Sequence, residues 1–296
     1  MLQEKGDRGL NIAINVLLVL AAVICLYPIW YVIICSFSTP DAIALGKVVL
    51  WPINFTLGGY KLMFQNQNLW LGYRNSIIYT GLGTLMALAV QLSTGYALSR
   101  KLPGQRFLST FFVLTMYFSG GMVPTFLLIN ALGWINNPIV MIVPGAMSVY
   151  NMIVARSFFM SSIPESLFDA ARIDGCSYGR FFFKVVLPLS GAMIAVIALF
   201  NIQSKWNAYL SAEMYLMNPD YRVLQQVIND LFAEFEVDAD ATGMQGNTAE
   251  MMNKIQYQKQ LMKYCVIIAG VLPLVIAYPF IQKYFVRGIM VGAVKG

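Results

Sequence analysis

Long apolar runs separated by short polar segments make up most of the 296-residue chain. Six of these runs are long enough to cross a membrane as helices, because about 20 apolar residues span a hydrocarbon core of about 30 Å. They occupy approximately residues 11–37, 75–98, 107–132, 139–160, 189–209 and 261–285. The pattern therefore predicts an all-α integral membrane protein with six transmembrane helices.

Glycine and proline interrupt several of the runs. The second run contains three glycines, Gly81, Gly83 and Gly95. Small residues of this kind let membrane helices approach each other closely. The third run contains Gly120, Gly121 and Pro124. We expect a kink in that run, since glycine and proline weaken the helical hydrogen-bond ladder.

The composition supports a membrane protein. Hydrophobic residues make up 58% of the chain and charged residues only 11%, whereas about 25% charged residues is usual for a soluble domain. A soluble chain of this length could not bury so much apolar surface. The formal net charge of +6 is then typical of cytoplasmic loops rich in Lys and Arg, and we expect no nucleic-acid partner.

The distribution of basic residues predicts the orientation of the chain. With six spans, both termini and the second and fourth loops lie on one side of the membrane, which carries twelve Lys and Arg residues. The opposite side carries seven, spread over longer loops. Because cytoplasmic loops are enriched in basic residues, we expect both the N-terminus and the C-terminus to be cytoplasmic.

The segment between the fourth and fifth runs has the features of a short capped helix. Ser162 and Glu165 have the spacing of a capping box, and Gly175 suits a left-handed C-terminal cap. A helix over residues 163–174 would be about 16 Å long, roughly half a bilayer core. Its residues at three- and four-residue spacings are Leu167, Ala170, Ala171 and Asp174. Such a helix could dock into another protein, or it could belong to an ordinary surface loop.

No set of residues in the chain is typical of catalysis or metal binding. The sequence has no histidine, and its four cysteines lack the spacing of a metal or redox site. It contains no P-loop, H-E-x-x-H or G-x-S-x-G motif. We therefore expect no catalytic residue, metal or cofactor in this chain. The first four apolar runs also lack acidic residues, which disfavours a secondary carrier driven by an ion gradient.

Residues 164–175 and 186–189 resemble the EAA loop of ABC importer permease subunits. The shared features are Ala170-Ala171, Gly175 four residues after the second alanine, and Leu187-Pro188 after a spacer. Asp169 stands where the family usually has glutamate, which keeps the charge but shortens the side chain by one methylene. The six predicted spans and the C-terminal sequence 284–296 are similar to maltose-type carbohydrate permeases, and most similar to LplC-like polysaccharide permeases.

The resemblance implies a type I ABC importer permease fold in the plasma membrane of a Gram-positive bacterium. It also implies a second homologous permease subunit, two copies of a cytosolic ATPase that binds ATP and Mg, and an extracellular solute-binding lipoprotein. The residues implied to couple transport to the ATPase are Glu165, Leu167, Asp169, Ala170, Ala171, Arg172, Asp174, Gly175, Leu187 and Pro188. The C-terminal residues implied to dock on the ATPase are Val294, Lys295 and Gly296, with a frayed end as the alternative.

The chain is also predicted to divide into three parts. Residues 1–72 contain the N-terminal tail, the first helix and an extracellular loop. Residues 73–285 form the permease domain with five helices, including a coupling loop at 161–189 and an acidic outer loop at 210–260. Residues 286–296 form a cytoplasmic tail. The outer loop could contact the delivery protein, or it could simply be solvated.

Polar and aromatic residues in or near the spans are candidates for contact with a sugar, because carbohydrate sites combine aromatic faces with amides. The candidates are Asn201, Gln203, Trp206, Asn207, Tyr209, Gln91, Asn130 and Asn151. The alternative is that these residues form hydrogen bonds between helices or an interfacial belt.

These observations together predict the permease subunit of an ATP-driven carbohydrate importer, with an oligosaccharide or polysaccharide fragment as cargo and alternating access as the mechanism. Three alternatives stay open at this point. The chain could be an ABC importer permease for another solute, a membrane partner of an ATPase that does not transport, or a self-contained secondary carrier.

Overall fold

The computed structural model describes residues 7–237 and 247–293. All regular secondary structure in these two ranges is helical, as the apolar pattern predicts. The α-helices are α1 (Asp7–Ser36), α2 (Pro40–Ala44), α3 (Gly58–Gln65), α4 (Gln67–Ser99), α5 (Gln105–Tyr117), α6 (Met122–Ala131), α7 (Ile139–Ile142), α8 (Val149–Ser162), α9 (Glu165–Ile173), α10 (Tyr178–Phe181), α11 (Leu187–Leu189), α12 (Gly191–Trp206), α13 (Tyr209–Tyr215), α14 (Leu224–Val237) and α15 (Asn247–Ala293). A π-helix, Phe182–Val186, lies between α10 and α11, and a 3₁₀-helix, Pro219–Tyr221, lies between α13 and α14.

The chain forms two compact units. The first consists of the described residues up to Leu69 together with Ile228–Leu272, and its core contains Ile34, Cys35, Ala42 and Val48. The second consists of Trp70–Val227 and the described residues from Pro273 onward. One core cluster of the second unit joins α4, α8, α9 and α12 through Leu92, Ala155, Phe168 and Ile197. All the sites described below belong to this second unit.

Three described segments are long and apolar enough to cross a membrane, namely Gly9–Ser36, Gln67–Ser99 and Tyr257–Pro279. Two further candidates are pairs of helices joined by a sharp bend, so the described residues contain up to five spans if each pair is one span. The prediction of an all-helical protein is confirmed. The count of six spans and the cytoplasmic location of the termini stay predictions.

The third apolar run contains the expected kink. Helices α5 and α6 meet at 111°, and the break falls where the glycines lie. Gly121 has φ 85° and ψ −177°, a backbone conformation that essentially only glycine adopts. Pro124 lies in the first turn of α6, where its missing N–H leaves no helical hydrogen bond unmade.

The prediction of one continuous helix over residues 139–160 is wrong. The run is divided into α7, with four residues, and α8, with 14. Pro144 lacks the N–H that would continue α7, and Gly145 has φ 74°, so the chain turns between the two helices. Ser148 then starts α8 by accepting a hydrogen bond from the N–H of Asn151. Average hydrophobicity did not reveal this break.

The fifth run also does not continue straight out of the loop before it. The helical segment Tyr178–Leu189 and helix α12 meet at 84°. Pro188 has no N–H to donate, and the Ser190 hydroxyl donates to the carbonyl of Val186 at 2.7 Å. The side chain thus satisfies a carbonyl at the point where the helix direction changes.

The outer segment 210–260 was expected to be a polar loop, but most of its described part is helical. It contains most of α13, the 3₁₀-helix, α14 and the beginning of α15. Val223, Leu224 and Val227 are buried, and this spacing forms one apolar stripe along a helix. The acidic residues on either side of these positions, such as Asp220 and Asp230, hid the stripe from an estimate based on polarity. Asp238 and Asp240 lie outside the described residues.

Helices α4 and α8 approach each other closely at Gly95. A Cβ atom at Gly95 would lie 2.9 Å from the Ala155 Cβ and 3.0 Å from the Met152 carbonyl oxygen. The expectation that glycine in the second run permits close packing is therefore confirmed at this position. The contact brings α4 and α8 together next to the loop that carries α9.

Candidate functional site

Helix α9 is a short amphipathic helix that is fixed at its C-terminal end. Gly175 has φ 75°, and its N–H donates to the Arg172 carbonyl at 3.0 Å. The Cys176 N–H donates to the Ala171 carbonyl at 2.9 Å. These two bonds form a Schellman motif, so the predicted glycine cap is confirmed.

The predicted capping box at the other end of α9 is wrong. Ser162 is the last residue of α8, so it cannot also cap the next helix. Pro164 instead occupies the N-cap position, with no side-chain hydrogen bond to the first turn. Glu165 therefore does not interact with Ser162, and its carboxylate forms an ion pair with another residue.

The partner of Glu165 is Lys101, which belongs to the turn after α4. Their Nζ and Oε2 atoms are 2.9 Å apart, and both side chains are largely exposed. The hydrogen bond between them, reinforced by their opposite charges, raises the pKa of Lys101 and lowers the pKa of Glu165. Water screens an exposed pair of this kind, so it orients the start of α9 more than it stabilises the fold.

Phe168 anchors α9 to the protein. It is the buried residue of this helix, with 7% of its surface exposed. Its ring centroid lies 4.8 Å from that of Tyr178 and 5.2 Å from that of Phe181. Because Phe181 is wholly buried in the same core cluster as Leu92 and Phe159, the anchor connects α9 to helices α4 and α8.

Arg100, which follows α4, contributes a second connection that the sequence analysis did not single out. Its guanidinium carbon lies 5.0 Å from the ring centroid of Tyr96, 5.2 Å from that of Phe168 and 5.7 Å from that of Phe181. Its Nε and Nη2 atoms are buried and have no hydrogen-bond partner within the described part of the chain. The cation is therefore held by aromatic faces, an interaction that strengthens where water is excluded.

The residues implied to couple to an ATPase divide into an exposed group and a packed group. Leu167, Asp169, Ala170, Arg172, Asp174, Gly175 and Pro188 are exposed, as is Glu165. Ala171 and Leu187 are half-buried and pack against the core cluster. Ile173, with 88% of its surface exposed, and Phe183, with 68%, extend the apolar part of this surface. Neither was singled out from the sequence, since an apolar residue in a short helix gives no sign of its exposure.

A cavity of about 240 Å³, with both apolar and polar lining residues, lies elsewhere in the same unit. Its lining comes from α6, α7 and the turn after it, α12 and α13. The lining residues are Thr125, Ile129, Val140, Met141, Pro144, Gly145, Asn201, Ser204, Lys205, Ala208, Ser211 and Tyr215. Hydroxyl, amide and ammonium groups thus share one recess with apolar walls.

Lys205 is the charged residue of the cavity. Its Nζ donates to the carbonyls of Met141 at 3.3 Å and Ile142 at 3.2 Å, which close the short helix α7. A Cβ atom at Gly83 would lie 2.6 Å from the Lys205 Cδ, so the glycine leaves room for the lysine stem. Sequence reasoning missed Lys205, although a lysine inside an apolar run is a recognisable signal.

Of the eight residues predicted to contact a sugar, Asn201 is the one that lines the cavity. Asn201 and Gln91 exchange two hydrogen bonds, with Nδ2 to Oε1 at 3.0 Å and Nε2 to Oδ1 at 3.2 Å. Gln91 also donates to the Ala146 carbonyl at 2.9 Å and is wholly buried. For Gln91 this geometry favours the alternative role of a hydrogen bond between helices.

The other six candidates do not share one location. Asn151 and Trp206 are buried, Tyr209 is half-buried, and Asn130, Gln203 and Asn207 are exposed. The Trp206 ring packs at 6.4 Å from that of Tyr73, away from the cavity lining. The C-terminal residues Val294, Lys295 and Gly296 lie outside the described residues.

Residues 4–291 match the family of binding-protein-dependent transport system inner membrane components. The chain belongs to this family. As a transport system inner membrane component it is a transporter permease subunit, which is not itself catalytic. The resemblance to ABC importer permeases noted from the EAA-like loop is therefore confirmed.

Two relatives of this inner membrane component come from Bacillus subtilis (strain 168). The polygalacturonan/rhamnogalacturonan transport system permease protein YtcP is 35% identical over 98% of this chain and 99% of its own. Protein LplC is 32% identical over 100% of this chain and 98% of its own.

A solved structure of similar fold is described as a bacterial ABC transporter involved in the import of the acidic polysaccharide alginate. It matches with a TM-score of 0.84 and 29% sequence identity, covering 96% of this chain and 99% of that one. The all-helical arrangement of this inner membrane component is thus the ABC permease fold.

Proposed function

We propose that the chain is one of two permease subunits of an ATP-driven carbohydrate importer, with an oligosaccharide or polysaccharide fragment as its cargo. The full-length match to the transport family and to relatives named for polysaccharide transport supports this proposal. The observation that carries it within the structure is α9, a rigidly capped helix with an exposed outer face and a buried anchor. Such a helix is suited to receive force from another protein.

In the proposed mechanism, α9 lies in a cleft of a cytosolic ATPase that binds ATP and Mg. Closure of the ATPase dimer displaces α9. The displacement passes through Phe168 to Phe181 and through Arg100 to Tyr96, and so reaches α4 and α8 in the core. The chain itself needs no nucleotide site, because its part is to convert this movement into alternating access.

The partner proteins follow from the same arrangement. A second permease subunit completes the pathway, two ATPase copies act on the two permeases, and an extracellular binding lipoprotein delivers the sugar. Helix α1 exposes apolar side chains from Leu10 to Trp30, and α5 has no buried residue. In the proposal, lipid and the second permease cover these helices. The C-terminal residues Val294, Lys295 and Gly296 are proposed to dock on the ATPase.

The proposal is tested with the importer isolated through an affinity tag on this chain. A second permease and an ATPase should co-purify, and the binding protein loaded with oligosaccharide should stimulate ATP hydrolysis in proteoliposomes. Stimulation by a non-sugar solute alone would instead support an importer of another substrate. Transport by this chain alone, driven by an ion gradient, would overturn the proposal.

A further inference from the structure

Lys205 places a positive charge in a segment that is otherwise suited to the membrane. It lies in α12, which belongs to one of the bent pairs of apolar helices. A charged side chain in such a segment is costly, and it is usually retained for a functional reason. Lys205 forms no ion pair with any carboxylate among the residues whose side chains the structure describes, 9–233 and 257–279. Its counter-charge is therefore not supplied by those residues.

The contacts of Lys205 with α7 do not explain why the residue is charged. The two carbonyl contacts measure 3.3 and 3.2 Å, whereas charge-assisted hydrogen bonds are usually about 2.7–2.9 Å long. An ammonium group has three protons to donate, and these two contacts use two of them. A neutral primary amide could donate to the same two carbonyls. Closing α7 therefore does not require a lysine.

The cavity beside Lys205 is lined by groups that suit a sugar. Thr125, Ser204 and Ser211 bring hydroxyls and Asn201 brings an amide. Lys205 is the one charged residue among the lining residues, and no acid is among them. The volume of about 240 Å³ is below the roughly 300–1,000 Å³ of a typical small-molecule pocket. It suits one sugar ring at a time better than a folded oligosaccharide.

We propose that Lys205 binds the carboxylate of a uronic acid unit in this cavity, so that the importer carries an anionic oligosaccharide. This inference rests on the proposed function and names the substrate class of its pathway. The sugar carboxylate supplies the counter-charge of Lys205, while the hydroxyls of Ser204 and Ser211 offer hydrogen bonds to the ring hydroxyls. The amide protons of Asn201 are already donated to the Gln91 side chain and the Ile197 carbonyl, so Asn201 shapes the cavity wall. A neutral sugar would leave the ammonium without a counter-ion.

The test compares trigalacturonate, which is anionic, with its fully methyl-esterified form, which is neutral and carries one added methyl group per carboxyl. Binding of each probe is measured on the importer isolated with its partner subunits and placed in lipid nanodiscs. We expect the wild-type complex to bind trigalacturonate more tightly than the ester. Lys205→Gln, which keeps donors for α7 but removes the charge, should weaken trigalacturonate binding about tenfold or more, the usual effect of losing a charge-assisted hydrogen bond.

Control variants separate recognition from a structural role. Lys205→Arg should retain binding of trigalacturonate, and Lys61→Gln, which removes an exposed charge on α3, should bind both probes as the wild type does. The inference is overturned if the wild type binds both probes with equal affinity, or if it does not bind trigalacturonate. It is also overturned if Lys205→Gln weakens the binding of both probes equally. If the complex still hydrolyses ATP and imports a neutral oligosaccharide, the inference fails while the proposed function stands.

Discussion

Phe168 is the side chain through which α9 is held, and its loss should be measurable. Phe168→Ala removes a buried ring from the cluster with Tyr178 and Phe181, which we expect to lower the free energy of unfolding by about 3–5 kcal/mol. Thermal melting of the permease subunits purified without the ATPase checks this result, because the surface proposed to dock then stays exposed. Phe183→Ala is the matched control, because its ring is 68% exposed and its removal should change the melting temperature little. Equal destabilisation by the two variants would contradict the anchoring role.

Asp169 is exposed on the outer face of α9, where the carboxylate is free to meet a partner. We expect Asp169→Arg to uncouple ATP hydrolysis from uptake, because it places a positive charge on the surface proposed to dock. The ratio of sugar imported to ATP hydrolysed, measured in proteoliposomes, should fall at least several-fold. Asp169→Glu restores the residue type usual in the family and should keep coupling. Normal coupling by Asp169→Arg would exclude the docking role of this face.

At the scale of the element, the C-terminal cap of α9 depends on a backbone conformation. Gly175 has φ 75°, where a side chain costs about 1–2 kcal/mol. Gly175→Ala should therefore increase amide hydrogen exchange at the end of α9. Gly179→Ala is the matched control, since Gly179 lies within α10 and a Cβ there meets no atom within 4 Å. Equal exchange rates in the two variants would contradict the importance of the cap.

The ion pair at the start of α9 gives a pH dependence with a definite sign. The pKa of Glu165 is lowered from 4.5 and that of Lys101 is raised from 10.5. The contribution of the pair is thus lost as pH falls through the folded pKa of Glu165, or as pH rises through that of Lys101. Hydrogen exchange of α9, corrected for the intrinsic pH dependence of exchange, should show constant protection at neutral pH and lower protection below about pH 4.5. Glu165→Gln should abolish the loss of protection at acidic pH. If the variant still loses protection there, another group causes the loss.

Several elements could be predicted from sequence because each depends on one strong local signal. Apolar runs predicted helices, Gly120 and Gly121 predicted the kink, and Gly175 predicted the cap. The prediction of a capping box was wrong because Ser162 belongs to the preceding helix. Residue spacing alone does not show which of two neighbouring helices contains a residue. The break at Pro144 and Gly145 was hidden by apolar residues on both sides.

At the scale of the whole molecule, the distribution of charge predicts which surfaces face the cytoplasm. Arg172 in α9 and Met217 after α13 are both exposed, and charge counting places them on opposite sides of the membrane. In a chain without its native cysteines, Arg172→Cys should react with an impermeant thiol reagent only in inside-out vesicles. Met217→Cys should react in intact cells. Labelling of both positions from the same side would overturn the predicted orientation.

The candidate site was less predictable than the fold, because it depends on contacts between distant parts of the chain. The EAA-like spacing indicated the exposed face of α9, whereas the contact of Arg100 with three rings depends on the packing of three separate segments. In the same way, Lys205 lines a cavity only because the break between α7 and α8 and the absent side chain of Gly83 leave space for it. No single run of sequence contains that information.

The 84° bend at Ser190 has a mechanical consequence. The helical segment Tyr178–Leu189, which contacts α9 through Phe181 and Phe168, forms one arm of this bend. Helix α12, which carries Asn201 and Lys205, forms the other arm. If the bend is stiff, a displacement of the first arm rotates the second arm. In the proposed mechanism, a displacement of α9 would thereby tilt Asn201 and Lys205 together, so that the binding and release of cargo would depend on the stiffness of this one bend.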